Sequence, residues 1–414
     1  MVGGDFLYLG NLMNTANVDT PAGSNLSPAL KAKIGMFTTI RLVFNAANRL
    51  VYPFLTALSI GMHVGLADVT LAISISMATS ALGPFIAPVA DRYGRRTGML
   101  LGLGIFTIGS ALVTLFPTYW TFTLSLMLAL LGNNVFLPAM QAYLSDRTSY
   151  ERRGMVLGVT EMSWALSFIL LIPLFGLIIP ATNWHTPYAI LTGLSLLSML
   201  VIFWLVPNDG ASATEPKENL FAGLRQVFTT RAALFMLGSG MAMLVANEVV
   251  NVVFGAWIED SYNLQIAALG AASMVIGFSE LGGEGLSTLL VDRLGKERSV
   301  MVGLAANCLV VFSLPLLGTS LVGAIVWLFL FYLTFEFAVT SVWPLVSEVL
   351  PAARATMLAV FIAALSLGRS VGSLIAPSFF AQGFLINGAV AALLNIVSVL
   401  LLKGVKLPHS NPTK

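Results

Sequence analysis

Twelve apolar runs, each about as long as a bilayer-crossing helix, follow one another along this chain and are separated by short charged loops. They occupy residues 34–60, 70–90, 97–116, 121–143, 154–179 and 186–206, then 232–258, 266–290, 299–317, 322–347, 356–380 and 384–402. A span takes about 20 mostly apolar residues. In hydrocarbon the backbone must satisfy its own polar groups, so only helices and closed barrels cross. Barrel strands are about half this long and alternate in polarity. The runs therefore predict an all-α membrane protein with twelve transmembrane helices. Composition agrees: of 414 residues, 57% are apolar and only 10% charged, against about 25% charged in soluble domains. That balance excludes a water-soluble enzyme and a nucleic-acid-binding chain.

The longest polar stretch, residues 207–231, falls between the sixth and seventh runs and reads as a linker. The expected organisation is a tail over 1–33, a six-helix bundle over 34–206, the linker, a second bundle over 232–402, and a tail over 403–414. Residues 221–228 of the linker are amphipathic, a pattern for lying on a membrane surface. With an even number of spans, both termini and the linker share one side. Eighteen of the 21 Lys and Arg residues fall on that side, and the other three, Arg41, Arg49 and Arg369, fall inside spans. The positive-inside rule makes the shared side cytoplasmic, with the plasma (inner) membrane as the expected location. The single cysteine, Cys308, excludes an intrachain disulfide and a thiolate cluster. The three histidines form no ligand spacing. No metal, cofactor or catalytic constellation is expected, and the chain reads as a monomer and not as an enzyme.

The loop between runs two and three reads Asp91-Arg92-Tyr93-Gly94-Arg95-Arg96, and that between runs eight and nine reads Asp292-Arg293-Leu294-Gly295-Lys296-Glu297-Arg298. The two are offset by 201 residues and join equivalent helices of their halves. Parallel six-helix repeats of this kind occur in some secondary transporters. On these motifs, and on the cadence Pro138, Tyr143, Asp146, Arg152-Arg153-Gly154 around run four, the chain resembles the major facilitator superfamily. Three features depart from familiar members. Ala87 stands where a motif glycine is usual, residues 121–132 lack an arginine, and run five has Ile172-Pro173-Leu-Phe-Gly176 in place of Gly-Pro-x-x-Gly. The last of these counts against the best-known drug-exporter subgroups without excluding drug export. The resemblance implies a cytoplasmic gate built from Asp91, Arg92, Gly94, Arg95, Arg96 and Asp146, with Asp292, Arg293 and Gly295 as its second-half partner. By the same resemblance Asp91 would face Thr356, Arg95 would contact Asp146, and the cluster would hold the outward-open state.

A charge at the bilayer centre costs about 2.5–3.5 kcal/mol on insertion scales and marks a functional candidate. Runs three, six, nine and twelve, which carry none, are expected to be the lipid-facing outer helices. Arg41, Asn45, Asn48 and Tyr52 form one stripe at helical spacing, with Arg49 beside it near the middle of run one. Asn247, Glu248 and Asn251 repeat the theme in run seven, and Glu161, Glu280, Glu336 and Arg369 lie in runs five, eight, ten and eleven. All twelve are expected to line one central polar cavity that binds substrate or couples an ion. In the structural alternative, Arg369 pairs with Glu280 or Glu336. Glu284, one turn from Glu280, reads as packing, and Trp164 as an interior aromatic. The expected function is alternating-access transport of a small polar, charged or amphipathic solute across the lipid bilayer, coupled to protons. Two alternatives share most of these features: an exporter or flippase of lipid-like or drug-like molecules, and a transporter-like sensor that does not cycle.

Overall fold

The computed structural model describes residues 27–83, 94–207 and 220–405. Asp91, Arg92 and most of both tails lie outside them. Among the described residues all regular structure is helical. Among the described residues nine helices are long and apolar enough to cross a membrane, or ten if the bent pair Leu55–Met62 and Leu66–Ser80 is one span. Three further apolar runs also coincide with helix. Pro28–Arg49 carries Lys31, Lys33, Arg41 and Arg49, Leu66–Ser80 ends shortly before an undescribed stretch, and Lys296–Phe312 is 17 residues long. The helical segments thus follow the twelve runs, with span one starting earlier than expected, at Pro28.

The internal repeat extends to the backbone. Gly94 and Gly295, each capping the helix that opens the third span of its half, both have φ of 86°. A side chain there would be strained, so the shared glycine of the two motifs is a backbone requirement. His63 and Asn263, 200 residues apart, both adopt left-handed conformations at the ends of Leu55–Met62 and Phe254–Tyr262. Those short helices continue spans one and seven beyond a break. In span one the break follows Arg49, just ahead of Pro53, which has no N–H to give. In span seven it falls at Val252 and Val253.

The breaks must be compensated, because lipid offers no hydrogen bonds. The amide of Val253 turns to the Val250 carbonyl, which frees that of Val249. The fully buried Asn387 of span twelve supplies the partner. Its Nδ2 donates to the carbonyls of Val249 at 2.9 Å and Ala376 at 3.0 Å, tying spans seven, eleven and twelve together. Asn387→Leu is expected to cost about 1–2 kcal/mol, the range of an interhelical hydrogen bond in membranes, read as a lower unfolding temperature of the detergent-purified protein. Asn307 and Asn395 similarly join spans nine, ten and twelve.

The halves meet along two helix pairs, span two against span eleven and span five against span eight. Ser74 and Ser370 share a 3.0 Å hydrogen bond across the first pair. In the second pair, Ile172–Ala181 packs on Ile266–Ala272, whereas Tyr150–Glu161 packs on spans one and four of its own half. The charge-free spans three, six, nine and twelve present apolar side chains outward, such as Ile108, Trp204, Leu309 and Leu400. The linker forms a helix over Leu220–Thr229 that is not uniformly exposed. Val227 is buried in the second-half core, while Phe221 and Phe228 face outward.

Candidate functional site

A cavity of about 180 Å³ lies between the halves, and it is lined from spans one, two, four, five, seven, eight, ten and eleven and from none of spans three, six, nine and twelve. Its wall contains nine of the twelve residues singled out in the sequence: Asn45, Asn48, Arg49, Tyr52, Asn247, Asn251, Glu280, Glu336 and Arg369. Helical spacing explains the grouping. Asn45, Asn48, Arg49 and Tyr52 recur at three- and four-residue steps down to the break in span one, and Asn247 and Asn251 do so before the break in span seven.

Arg49 is held in a fixed geometry. Its guanidinium donates two parallel hydrogen bonds of 2.7 Å to Glu280 of span eight, and both side chains are buried. One face lies 3.9 Å from the centre of the Trp164 ring and 4.4 Å from that of Phe168. Bidentate geometry makes this a strong charge-assisted contact, and it joins the first half directly to the second. Trp164 and Phe168 flank the change from α to π geometry at Ser167–Leu171, a kind of irregularity often found at functional sites.

Three expected members of the cavity wall lie elsewhere. Arg41 and Glu161 form their own bidentate pair at 2.7 Å, nearer the linker side, and Gln141 also donates to Glu161. The Glu161 side chain is 44% exposed, so this pair has access to solvent. Glu248 is 0% exposed and sits behind the wall, accepting from Asn251 Nδ2 at 3.2 Å and Ser373 Oγ at 3.1 Å. The stripe misled because Arg41 is two turns from Arg49 on a helix whose neighbours change along its length. Glu248 follows Asn247 on its helix, about 100° further round, and turns to Ser373 and Gly372 of span eleven.

The alternative pairing of Arg369 with Glu280 or Glu336 is also not the one observed, since Arg49 takes Glu280. Arg369 makes no hydrogen bond or ion pair among the described residues, although Glu248, Glu336 and Glu280 surround it electrostatically. The Glu336 carboxylate likewise has no hydrogen bond or ion pair among the described residues, and its like-charged neighbours are Glu280 and Glu284. Tyr332 donates to Asn251 Oδ1 at 2.5 Å.

Met77, Ser80, Leu130, Asn133, Phe168, Tyr332, Phe335 and Ser366 also line the cavity and were not identified from sequence. Asn133 and Ser80 had a weak signal as polar residues inside apolar runs. The apolar ones had none, because lining and packing residues look alike in a sequence. Trp164, read as packing, is part of the wall.

On the linker side, Arg95 lies 3.6 Å from Asp146, and the Arg96 guanidinium lies over Phe203 at 4.3 Å. Lys296 and Glu348 form the corresponding ion pair in the second half. Asp292 and Arg293 are exposed beside Gly295. The contact expected between Asp91 and Thr356 lies outside the described residues. Thr356 lies against Gly223 of the linker helix.

The description of the Major Facilitator Superfamily matches residues 37–373. The chain is 26% identical to the MFS-type transporter YceJ of Bacillus subtilis (strain 168), over 89% of this chain and 94% of that one. It is 25% identical to YwfA of the same organism, over 90% of each. Among solved structures, a D-xylose-proton symporter superposes with a TM-score of 0.70 at 16% identity, covering 89% of this chain and 97% of that one. A bacterial homologue of the lysosomal transporter Spinster, inward-facing and unoccupied, superposes with a TM-score of 0.67 at 15% identity, covering 92% and 95%. With twelve apolar helical segments, a repeat that extends to the backbone and a cavity shared by both halves, the chain belongs to the major facilitator superfamily of integral membrane transporters.

Proposed function

We propose that this protein is a proton-coupled carrier of a small polar, charged or amphipathic organic solute, working by alternating access. The observation that carries the reading is the pairing pattern in the cavity. Glu280 is committed to Arg49, whereas Glu336 lines the same cavity with no hydrogen bond or ion pair among the described residues. Intramembrane carboxylates are costly and mark proton relays in pumps and carriers. An uncommitted one at the substrate cavity is placed to exchange a proton as the cavity loads. The charged wall favours a polar or charged head group over a purely lipophilic cargo. The aromatic side chains Trp164, Phe168, Tyr332 and Phe335 suit an apolar body beside that head group. The basic residues on the linker side support cytoplasmic termini in a plasma (inner) membrane.

The test is a solute screen in proteoliposomes with an imposed pH gradient, run on the wild type, Glu336→Gln and Glu248→Gln. The wild type is expected to respond to the gradient. Glu336→Gln is expected to lose that response but keep solute exchange, because glutamine mimics the protonated acid. Glu248→Gln is expected to weaken binding without removing gradient dependence. Transport indifferent to the gradient in the wild type, or a full gradient response in Glu336→Gln, rejects proton coupling through this residue.

A further inference from the structure

We infer that Arg369 and Asn247 form the head-group site for an organic anion, a carboxylate or related oxyanion, with the anion's apolar body against Trp164, Phe168 and Phe335. This names a substrate class for the cavity and rests on the transporter reading above.

Three arginines lie within the spans, and the structure separates them. Arg41 is paired with Glu161 and Arg49 with Glu280, each through two N···O contacts of 2.7 Å, although the Nε of each has no hydrogen-bond partner among the described residues. Arg369 reaches the cavity with no such partner among the described residues. The carboxylate with the largest electrostatic influence on it, Glu248, is fully buried and already accepts from Asn251 and Ser373. Tyr52 faces that carboxylate from span one. Glu248 therefore balances the charge of Arg369 from behind and leaves its donors for the cavity.

A second unpaired donor belongs to a residue of the same wall. Asn247 is 4% exposed and lines the cavity, and its Nδ2 has no hydrogen-bond partner among the described residues. Its neighbour one turn on, Asn251, differs: it donates to Glu248 and accepts from Tyr332. Buried donors are ordinarily paired, and leaving one unpaired costs about 1–3 kcal/mol. An oxyanion satisfies both groups together, because guanidinium geometry matches a carboxylate and the amide adds a further N–H. The Trp164 ring centre lies 5.9 Å from the Arg369 guanidinium and 3.9 Å from that of Arg49. It is thus a flat apolar surface beside the head-group site. Glu336 lines the same cavity as the proton-carrying group of the proposed cycle, so anion and proton would enter together without net charge.

Equilibrium binding of radiolabelled benzoate and phenylphosphonate to the detergent-purified full-length protein tests the assignment, with benzamide and benzylammonium as competitors of matched shape. The anions are expected to bind saturably, with benzamide and benzylammonium competing poorly. Arg369→Gln is expected to weaken anion binding about tenfold or more, the loss of one charge-assisted hydrogen-bonded contact. Arg369→Lys keeps the charge but not the fork, and is expected to fall between. Unfolding temperatures of both variants establish that they are folded. Failure of both anions to bind the wild type, equal or better competition by benzylammonium, or unchanged binding by a folded Arg369→Gln overturns the assignment. No gradient is present, so that result leaves the transporter reading to the proteoliposome assay.

Discussion

Glu280→Met is expected to lower the stability of the purified protein by about 3–5 kcal/mol, the range for removing one partner of a buried ion pair. The cost comes less from the lost attraction than from what remains. Arg49 sits in a buried site with its charge fixed, since a guanidinium does not lose its proton in proteins. Its stacking on Trp164 and Phe168 supplies no acceptor for the two N–H groups that Glu280 now takes. Arg49→Met is expected to destabilise as well, leaving an acid that can be neutralised by a proton, and therefore by less. The double variant Arg49→Met/Glu280→Met removes both desolvation penalties and is expected to recover most of the loss. Unfolding temperatures of the four proteins form a double-mutant cycle. Additive single effects would mean that the pair is not coupled in the folded protein. Because the pair joins spans one and eight, the recovered double variant is expected to remain poor in transport even where its stability returns.

Gly255→Ala is the second large effect. A Cβ at Gly255 would lie 2.5 Å from the Tyr52 carbonyl oxygen, 2.6 Å from that of Pro53 and 2.8 Å from Pro53 Cα. All three are backbone atoms at the break of span one, so no side chain can rotate out of the way. The same side of the molecule is closed by a second small-residue contact, where a Cβ on either Gly176 or Gly270 would meet the other's Cα at 3.1 Å. Overpacking of this kind costs about 1–3 kcal/mol, and it is paid only in the state in which spans one and seven touch. A penalty confined to one state shifts the balance between states about ten- to a hundredfold. Spin labels at the exposed positions Ile60 and Asp260, one on each helix continuing past the breaks, are expected to move apart in Gly255→Ala, and transport to fall at least tenfold in rate. An unchanged distance distribution with wild-type transport would falsify the role given to this contact.

Much of the architecture could be read before any coordinates, because it depends on local properties of the chain. Run length against bilayer thickness marks the spans, but absence of charge does not by itself separate outer from inner helices: spans two and four carry no charge either, and both line the cavity. The repeated motif located two backbone positions, Gly94 and Gly295, whose shared left-handed geometry explains the glycine. The candidate site was legible only in part. Asn45, Asn48, Arg49 and Tyr52 were accessible through helical spacing and polarity, whereas Phe168 and Phe335 were not, since an apolar side chain inside an apolar run carries no mark of the surface it faces. Glu248 shows the opposite failure: its charge signalled importance, and its direction on the helix placed it behind the wall.

Polarity and period along the chain were enough for an all-helical membrane fold with a repeated half, and for the short roll of ionisable groups buried among its spans. They could not assign the partners. Arg49 and Glu280 are 231 residues apart, and Arg41 and Glu161 are 120 apart; which arginine meets which glutamate depends on the rotation and tilt of helices from different parts of the chain. A rotation of one residue position turns a side chain by about 100° on a helix of 3.6 residues per turn, enough to exchange a cavity for a packed interface. Only the packed structure could therefore show that two of the three intramembrane arginines are committed to carboxylates and that Arg369 is turned to the cavity, because pairing is a property of helices in contact and not of residues in sequence.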